Sequence, residues 1–259
     1  MSGPKTASGA AITAIVIALA LSAFAVSNAA ATGTTGYTCV KDAEGTLFGE
    51  HCLSSGSGEK YKHVEIKPGE QTTIAAGNEK TASGTTASQS VTIGATVSGV
   101  SLQITCSKAE GGGTFENKQN AGGEMYLHSE GSVDFTGCVV KTPAEKGCKV
   151  SGETIKTFQM TTTSEGQGHG VMVKPVEGTT ITNIKIEGCS IAALNNTFPL
   201  TGSVKAQGNG ATLTTTEAQV TTDNTLKFGG NKAGLECAMT VRAHSNAGEE
   251  THPVSVTTT

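Results

Sequence analysis

The sequence predicts an all-β protein: an antiparallel β-sandwich or barrel of many short strands, clipped by disulfides, behind an N-terminal signal peptide. Three observations predict this class. Short segments of alternating apolar and polar residues recur along the chain, turn-forming glycine, proline and asparagine residues separate them, and no amphipathic helix follows the first 31 residues. Because strands without helical crossovers pair with antiparallel neighbours, they must close into a sandwich or barrel to bury one face.

The first 31 residues have the three parts of a secretory signal peptide. Lys5 supplies positive charge, residues 10–26 form an uncharged apolar run, and small residues follow. The cleavage rule fits a cut after Ala29 or Ala31, and we expect the second. An uncleaved anchor is the alternative, because about 17 to 25 apolar residues span a bilayer. We therefore expect a secreted or cell-surface protein with no membrane span after cleavage.

Alternation of apolar and polar residues predicts strands along nearly the whole mature chain. These segments are His63–Ile66, Val97–Thr105, Ser132–Phe135, Ile155–Met160, Val171–Val173, Ile184–Ile186 and Leu235–Val241. Glycine-rich clusters between them, the triplet Gly111–Gly113 included, are expected to form turns. Residues 191–196 are the one stretch that suggests a turn of helix.

A stretch rich in small and polar residues between Ala75 and Ser88 suggests a domain boundary. It would separate a small N-terminal β unit with its linker, residues 32–88, from a main β domain over residues 89–250. A single domain with a long surface loop explains the same composition equally well. Residues 251–259 are expected to form a disordered tail.

Charge argues against nucleic acid as a partner. Charged residues make up 15% of the chain, against about 25% in typical globular proteins. The net charge is -4 and Arg242 is the only arginine. Nucleic-acid binding needs a basic patch and usually several arginine side chains. We therefore expect a cell-envelope or protein partner, if the protein has one.

The seven cysteines predict disulfides, which are the default in an exported chain. They lack the C-x-x-C spacing of a zinc site. Two bonds are expected to clip short hairpins and a third to join distant strands. The predicted pairs are Cys39–Cys52, Cys138–Cys148 and Cys106–Cys189, which leaves Cys237 as a reduced thiol buried in its apolar strand.

Two of the cysteines end similar segments of sequence. Residues 133–138, VDFTGC, match residues 184–189, IKIEGC, position for position in pattern. In a regular strand each cysteine would point to the face opposite the apolar side chains, whereas a bulge at the glycine would turn it inward. In both cases we expect matched strand ends. Duplication and chance explain the similarity equally well.

These segments also carry a family resemblance, over about residues 97–206. The matching motifs are Phe135–Cys138, Gly147–Val150, Ile155–Thr157, Val171–Pro175 with Gly178, Gly188–Cys189 and Gly202–Val204. Together they resemble an uncharacterised group of secreted β-rich proteins from soil actinobacteria. The resemblance implies a secreted bacterial protein. Because that group has no known activity, it assigns no functional residue.

The sequence contains no recognisable catalytic, cofactor-binding or metal-binding motif. His169, flanked by two glycines, is the most suggestive histidine, although a histidine in a hairpin loop is the simpler interpretation. Glu124, Glu187 and Glu217 offer carboxylates for glycoside hydrolysis, but no spacing selects a pair. We therefore predict no catalytic residue, no cofactor and no metal.

Three functions remain as hypotheses. The first is a non-enzymatic extracellular protein, a structural, adhesion or interaction module whose sheet faces or edges make contacts. The alternative is a secreted hydrolase with an unrecognised site, which needs a histidine beside a nucleophile and an orienting acid. A protein that binds a small ligand is the third, and it requires a closed barrel with an apolar cavity.

Overall fold

The computed structural model describes residues 34–41, 61–77, 90–119, 121, 125–144, 147–164, 170–209, 212–215, 225–244 and 251–258. These residues form antiparallel strands and two short 3₁₀ turns. The strands are β1 (Thr34–Lys41), β2 (Tyr61–Glu65), β3 (Thr72–Gly77), β4 (Val91–Val97), β5 (Val100–Gln119), β6 (Met125–Thr142), β7 (Lys149–Val150), β8 (Thr154–Lys156), β9 (Met160–Ser164), β10 (Gly170–Pro175), β11 (Thr180–Glu187), β12 (Thr197–Thr201), β13 (Val204–Asn209), β14 (Thr212–Thr215), β15 (Lys227–Phe228), β16 (Asn231–His244) and β17 (Thr251–Thr258). The 3₁₀ turns are Ser151–Glu153 and Ala192–Leu194. The predicted signal peptide lies outside the described residues.

Eight strands pair in a circuit that returns to its starting strand. In order, β16 pairs with β3, β3 with β5, β5 with β6, β6 with β9, β9 with β10, β10 with β13, β13 with β14, and β14 with β16. We call these eight strands the strand ring. Every pair is antiparallel, so the all-β antiparallel class predicted from the sequence is confirmed, in the form of a strongly curled sheet.

The long hairpin of β5 and β6 is the spine of this sheet. Its register runs without interruption from Ile104 opposite Val140 to Gln119 opposite Met125. The triplet Gly111–Gly113 lies inside β5, so the turn predicted there is wrong. A Cβ atom on Gly111 would collide with the backbone oxygen of Ser132, and one on Gly113 with that of Glu130, in each case the residue before the one opposite in β6. Glycine therefore permits a close approach of backbones where the sheet curls, instead of ending the strand.

The sheet encloses two clusters of buried apolar side chains. The smaller cluster lies inside the strand ring and consists of Ile66, Phe115, Leu127, Val171, Ala206 and Val241. The larger one lies toward the other ends of β5, β6 and β16, where β4, β8, β11, β12 and β15 continue the sheet. Within it, the rings of Phe198 and Phe228 stack with centroids 5.0 Å apart.

The two ends of the described chain pair with each other. β17 lies antiparallel to β1 and also pairs with β16, so the expectation of a disordered tail is wrong for residues 251–258. Five of its eight residues are β-branched, which suits it to a sheet once partner strands are present. At the other end of the chain, β3 pairs with both β5 and β16. Most of the predicted boundary at residues 75–88 lies outside the described residues.

A buried asparagine joins the N-terminal strands to the spine. The side chain of Asn117 in β5 is fully buried. Its Nδ2 donates to the backbone oxygens of Gly36 and Ile66 at 2.9 and 2.6 Å, and its Oδ1 accepts from the Gly36 N–H at 2.8 Å. The amide thus hydrogen-bonds the backbone of Gly36 one residue before β1 begins to pair with β2, and its own polar atoms are satisfied, as a buried polar group requires.

Candidate functional site

The cysteines pair across strands and not within short hairpins. The bonds are Cys106–Cys138 and Cys148–Cys189, so the predicted pairs Cys138–Cys148 and Cys106–Cys189 are wrong. Cys106 lies directly opposite Cys138 in the β5–β6 register, which their separation of 32 residues in sequence conceals. Cys148 precedes β7, whose partner β11 ends just before Cys189. The predicted pair Cys39–Cys52 involves Cys52, which lies outside the described residues.

Both cysteines of the repeated pattern turn inward at their glycines. Gly137 and Gly188 have φ angles of +62° and +76°, in the left-handed region that glycine adopts without penalty. Phe135 and Cys138 are therefore both buried although they are three residues apart, and the same holds for Ile186 and Cys189. The strand ends differ, however. β11 ends at Glu187, whereas β6 continues past Cys138 to Thr142.

The seventh cysteine, Cys237, carries a thiol and is buried in β16. Burial raises the pKa of this thiol to about 12, because the apolar surroundings disfavour the thiolate. The side chain is therefore neutral at physiological pH. A thiol without thiolate character is a poor nucleophile, so the residue acts here as a small apolar group.

An apolar cavity of about 170 Å³ lies where the two buried clusters meet, and it is partly open to solvent. Its wall combines residues of the smaller cluster, Ala206 and Val241, with residues of the larger one, Phe135 and Leu200. Strands of the ring supply most of the wall, because alternate side chains of each strand point to the inside of the curled sheet. The curl of the sheet thus creates the cavity.

The chemistry of the cavity wall is almost entirely apolar. Besides aliphatic groups and the ring of Phe135, it contains three sulfur-bearing side chains, Met160, Cys237 and Met239. Glu130 also borders the cavity, but its half-exposed carboxylate pairs with His128. The hydroxyl of Thr157, also at the wall, already accepts a hydrogen bond of 2.8 Å from the Val133 N–H. Such a cavity excludes charge and can hold an uncharged apolar group.

Of the residues at the wall, sequence reasoning singled out Cys237, as a buried thiol, and did not identify the others. Their common signal is alternation on strands such as β10, β13 and β16, which places Val173, Val204 and Leu235 on one face. Alternation predicts which side chains point inward. It does not predict that the opposing side chains leave a space, because this depends on how far the sheet curls.

His128 is the one histidine whose side chain the structure describes, and it lies on the opposite face of β6 from the cavity-lining Ser129 and Val133. Its Nε2 is 3.2 Å from Glu130 Oε1, and its Nδ1 is 3.5 Å from Thr161 Oγ1. This order of acid, histidine and hydroxyl resembles a hydrolase triad. The threonine, however, is only 9% exposed, and its contact with the ring is at the limit of hydrogen-bond length. These three side chains therefore support the pairing of β6 with β9 and present no accessible nucleophile.

The other residues considered from the sequence are not brought together in the described parts of the chain. His169, Glu124 and Glu217 lie outside them. Glu187 lies at the surface beside two lysines, with Oε2 3.0 Å from Lys185 Nζ and Oε1 4.0 Å from Lys149 Nζ. A hydrogen bond from Lys185, together with its charge, lowers the pKa of Glu187. The arrangement is a surface ion pair and not a catalytic acid.

Within the described ranges, no three His, Cys, Asp or Glu side chains are grouped so that they could hold a metal ion. No helix in the same ranges is long and apolar enough to cross a membrane.

Comparisons of the chain with protein families, with curated proteins and with solved structures find no significant match. We take the apolar cavity as the candidate site.

Proposed function

We propose that this chain is an exported, non-enzymatic binding protein that holds a small apolar molecule inside its curled sheet. The observation that carries the proposal is the apolar cavity of about 170 Å³ within a circuit of eight paired strands. An eight-stranded barrel is just wide enough to be filled by side chains or to hold one small ligand. The proposal takes up the third hypothesis from the sequence, a protein that binds a small ligand, and keeps the extracellular, non-enzymatic character of the first.

The size of the cavity sets the size of the ligand. An apolar cavity of about 150 Å³ in another protein stays dry and binds benzene or xenon. The cavity described here, of about 170 Å³, therefore suits a molecule of roughly six to ten non-hydrogen atoms. A longer ligand would have to extend into solvent through the open side of the cavity.

Export rests on separate observations. The first 31 residues have the pattern of a signal peptide, and the resemblance to secreted actinobacterial proteins agrees with it. Two disulfides are consistent with an oxidising compartment. In such a location a stable β scaffold with a small apolar interior site suits a carrier or a sensor of small hydrophobic molecules. Mass spectrometry of the protein recovered from its host should find a mature chain that begins at Thr32.

The binding proposal is tested by titrating the purified mature protein with toluene and following its amide signals by NMR. We expect saturable shifts concentrated in β6, β10, β13 and β16. Leu235→Phe should abolish them, because a larger ring would fill the cavity that Leu235 lines. Val139→Phe, at a position that is already 42% exposed, is the matched control and should bind as the wild type does.

Wild-type protein that shows no saturable binding of toluene overturns the proposal. The same conclusion follows if Leu235→Phe binds as tightly as Val139→Phe. If Leu235→Phe fails to fold, Val173→Met provides a milder filling of the same cavity, since Val173 also lines it. Its affinity should fall relative to the wild type, and unchanged affinity contradicts the proposal.

A further inference from the structure

We infer that the site selects a small, uncharged aromatic molecule over a saturated one of the same size. This inference rests on the proposed function and specifies its ligand. The supporting observation is the composition of the cavity wall. Three sulfur-bearing side chains and one aromatic ring, those of Met160, Cys237, Met239 and Phe135, line a single cavity of about 170 Å³.

The strands explain why the sulfur atoms converge on one space. Cys237 and Met239 are two residues apart in β16, so both point to the inside of the curled sheet. Met160 begins β9, which lies in the strand ring and pairs with β6 and β10. Phe135 comes from β6, close to the point where β8 pairs with it. Three separate strands therefore supply soft, polarisable groups to the same cavity.

Sulfur atoms favour aromatic guests over saturated ones. A thioether or thiol sulfur about 5 Å from a ring, often at the ring edge, makes a favourable contact that an aliphatic guest of equal size does not make. An aromatic guest can also pack edge-to-face or offset against the ring of Phe135. Because both methionines have several rotatable bonds, their sulfur atoms can adjust to the ring.

The same wall disfavours a charged guest. Cys237 is a neutral thiol, and no lysine or arginine lines the cavity in the described part of the chain. Glu130 is the charged residue at the wall, but its carboxylate lies 3.2 Å from Nε2 of His128, on the other face of β6. A charge taken into such a space loses its hydration without gaining a partner. The hydroxyl of Ser129, which shares the cavity face of β6 with Val133, allows one polar substituent on the ring. The ligand class is therefore a benzene-type or phenol-type molecule.

The test compares toluene with methylcyclohexane, which has the same number of non-hydrogen atoms but no aromatic ring. Dissociation constants of both are measured by NMR titration for the wild type and for Met160→Leu/Met239→Leu. Methionine-to-leucine changes conserve volume, so the cavity should persist. Comparing the ratio of the two constants between proteins cancels the difference in hydration of the two guests. We expect the preference for toluene to fall roughly 2- to 12-fold per sulfur contact removed.

A second readout locates the guest directly. The ring current of toluene should shift the methyl signals of Met160 and Met239 in the wild type, because both side chains line the cavity. Met172 is the control. It is buried, but it alternates in β10 with Val171 and Val173 and so belongs to the other face of the sheet. Its methyl signal should not move, and Met172→Leu should leave the preference for toluene unchanged.

The outcomes separate the two proposals. If both guests bind and the ratio is the same in the wild type and the double variant, the inference of aromatic selectivity is overturned while the proposed function stands. If neither guest binds the wild type, both fall. Should the double variant fail to fold, Met239→Leu alone gives the same comparison, with a smaller expected change.

Discussion

The two disulfides follow the same glycine–cysteine motif but lie in very different parts of the sheet. Cys106–Cys138 joins residues that are directly opposite in the long β5–β6 ladder. Cys148–Cys189 lies where β7 and β11 share just two residue pairs. The first bond therefore reinforces strand pairing that already exists, and the second replaces pairing that is almost absent.

Side-chain and backbone contacts around Cys148–Cys189 also take the place of strand pairing. The amide of Asn195 pairs with the Cys189 peptide, accepting from its N–H and donating to its oxygen, both at 2.8 Å. Gly147 and Gly188, the residues before the two cysteines, approach each other so closely that a Cβ on Gly188 would collide with the Gly147 backbone oxygen. The Asn195 amide, the disulfide and the close approach of the two glycines thus hold these segments together, as ladder hydrogen bonds do elsewhere in the sheet.

Chain entropy does not distinguish the two bonds. Their cysteines are separated by 32 and 41 residues in sequence. Loops of such lengths are each expected to contribute about 4 kcal/mol by restricting the unfolded chain. The two bonds therefore contribute similarly to global stability but have different local roles.

The largest effect is expected from removing each disulfide with paired alanine substitutions. Cys148→Ala/Cys189→Ala and Cys106→Ala/Cys138→Ala should each lower the free energy of unfolding by about 4 kcal/mol. Amide hydrogen exchange should separate them. Cys148→Ala/Cys189→Ala should also open locally at β7 and the end of β11. In Cys106→Ala/Cys138→Ala, by contrast, the amides of the β5–β6 ladder should exchange only through global unfolding. Equal local opening in both variants contradicts the distinction.

A smaller difference is expected from alanine at Gly137 and Gly188, the glycines that precede Cys138 and Cys189. Both have positive φ, which costs another residue about 1 to 2 kcal/mol. At Gly137 the new Cβ meets the side-chain oxygen of Ser107, which can rotate away, but at Gly188 it meets backbone. Gly188→Ala should therefore destabilise by about 1 kcal/mol more than Gly137→Ala in urea denaturation. The reverse order would show that the second region adapts more readily than its contacts indicate.

The contribution of Asn195 is expected to be lower again. Asn195→Ala removes both hydrogen bonds to the Cys189 peptide and should cost about 1 kcal/mol. The exposed Asn183, in the neighbouring strand β11, is the matched control, and Asn183→Ala should be close to neutral. Urea denaturation of both variants measures the difference. Equal stability of the two variants would mean that water replaces the Asn195 amide without loss.

The smallest effect is expected from the surface charges. The hydrogen bond and charge of Lys185 lower the pKa of Glu187 below its usual value of 4.5. The folded state therefore gains stability from this group above pH 4.5, and this gain disappears as the pH falls through the lowered pKa. Glu187→Gln should remove that small pH dependence, and salt should weaken it in the wild type because the pair is exposed. Asp134→Asn is the control, because Asp134 pairs with Lys156 in the part of the sheet that holds Cys106–Cys138. The free energy of unfolding of this variant should keep the pH dependence that Glu187 contributes.

The sequence by itself determined the antiparallel β class, since alternation along each segment requires one face to be buried. It also indicated that glycine before Cys138 and Cys189 permits an inward turn, because glycine alone reaches positive φ without strain. These are local properties of the chain, which explains why they could be predicted.

Only the tertiary structure decided which cysteines pair, whether residues 251–258 are ordered, and where the interior remains unfilled. Each of these depends on which strands become neighbours: Cys106 meets Cys138 through the β5–β6 register, and β17 is ordered because β1 and β16 lie beside it. The cavity beside Met160 and Met239 likewise arises from the curl of the whole sheet. Alternation fixes the direction of a side chain, but the distance to what it faces is set by distant strands.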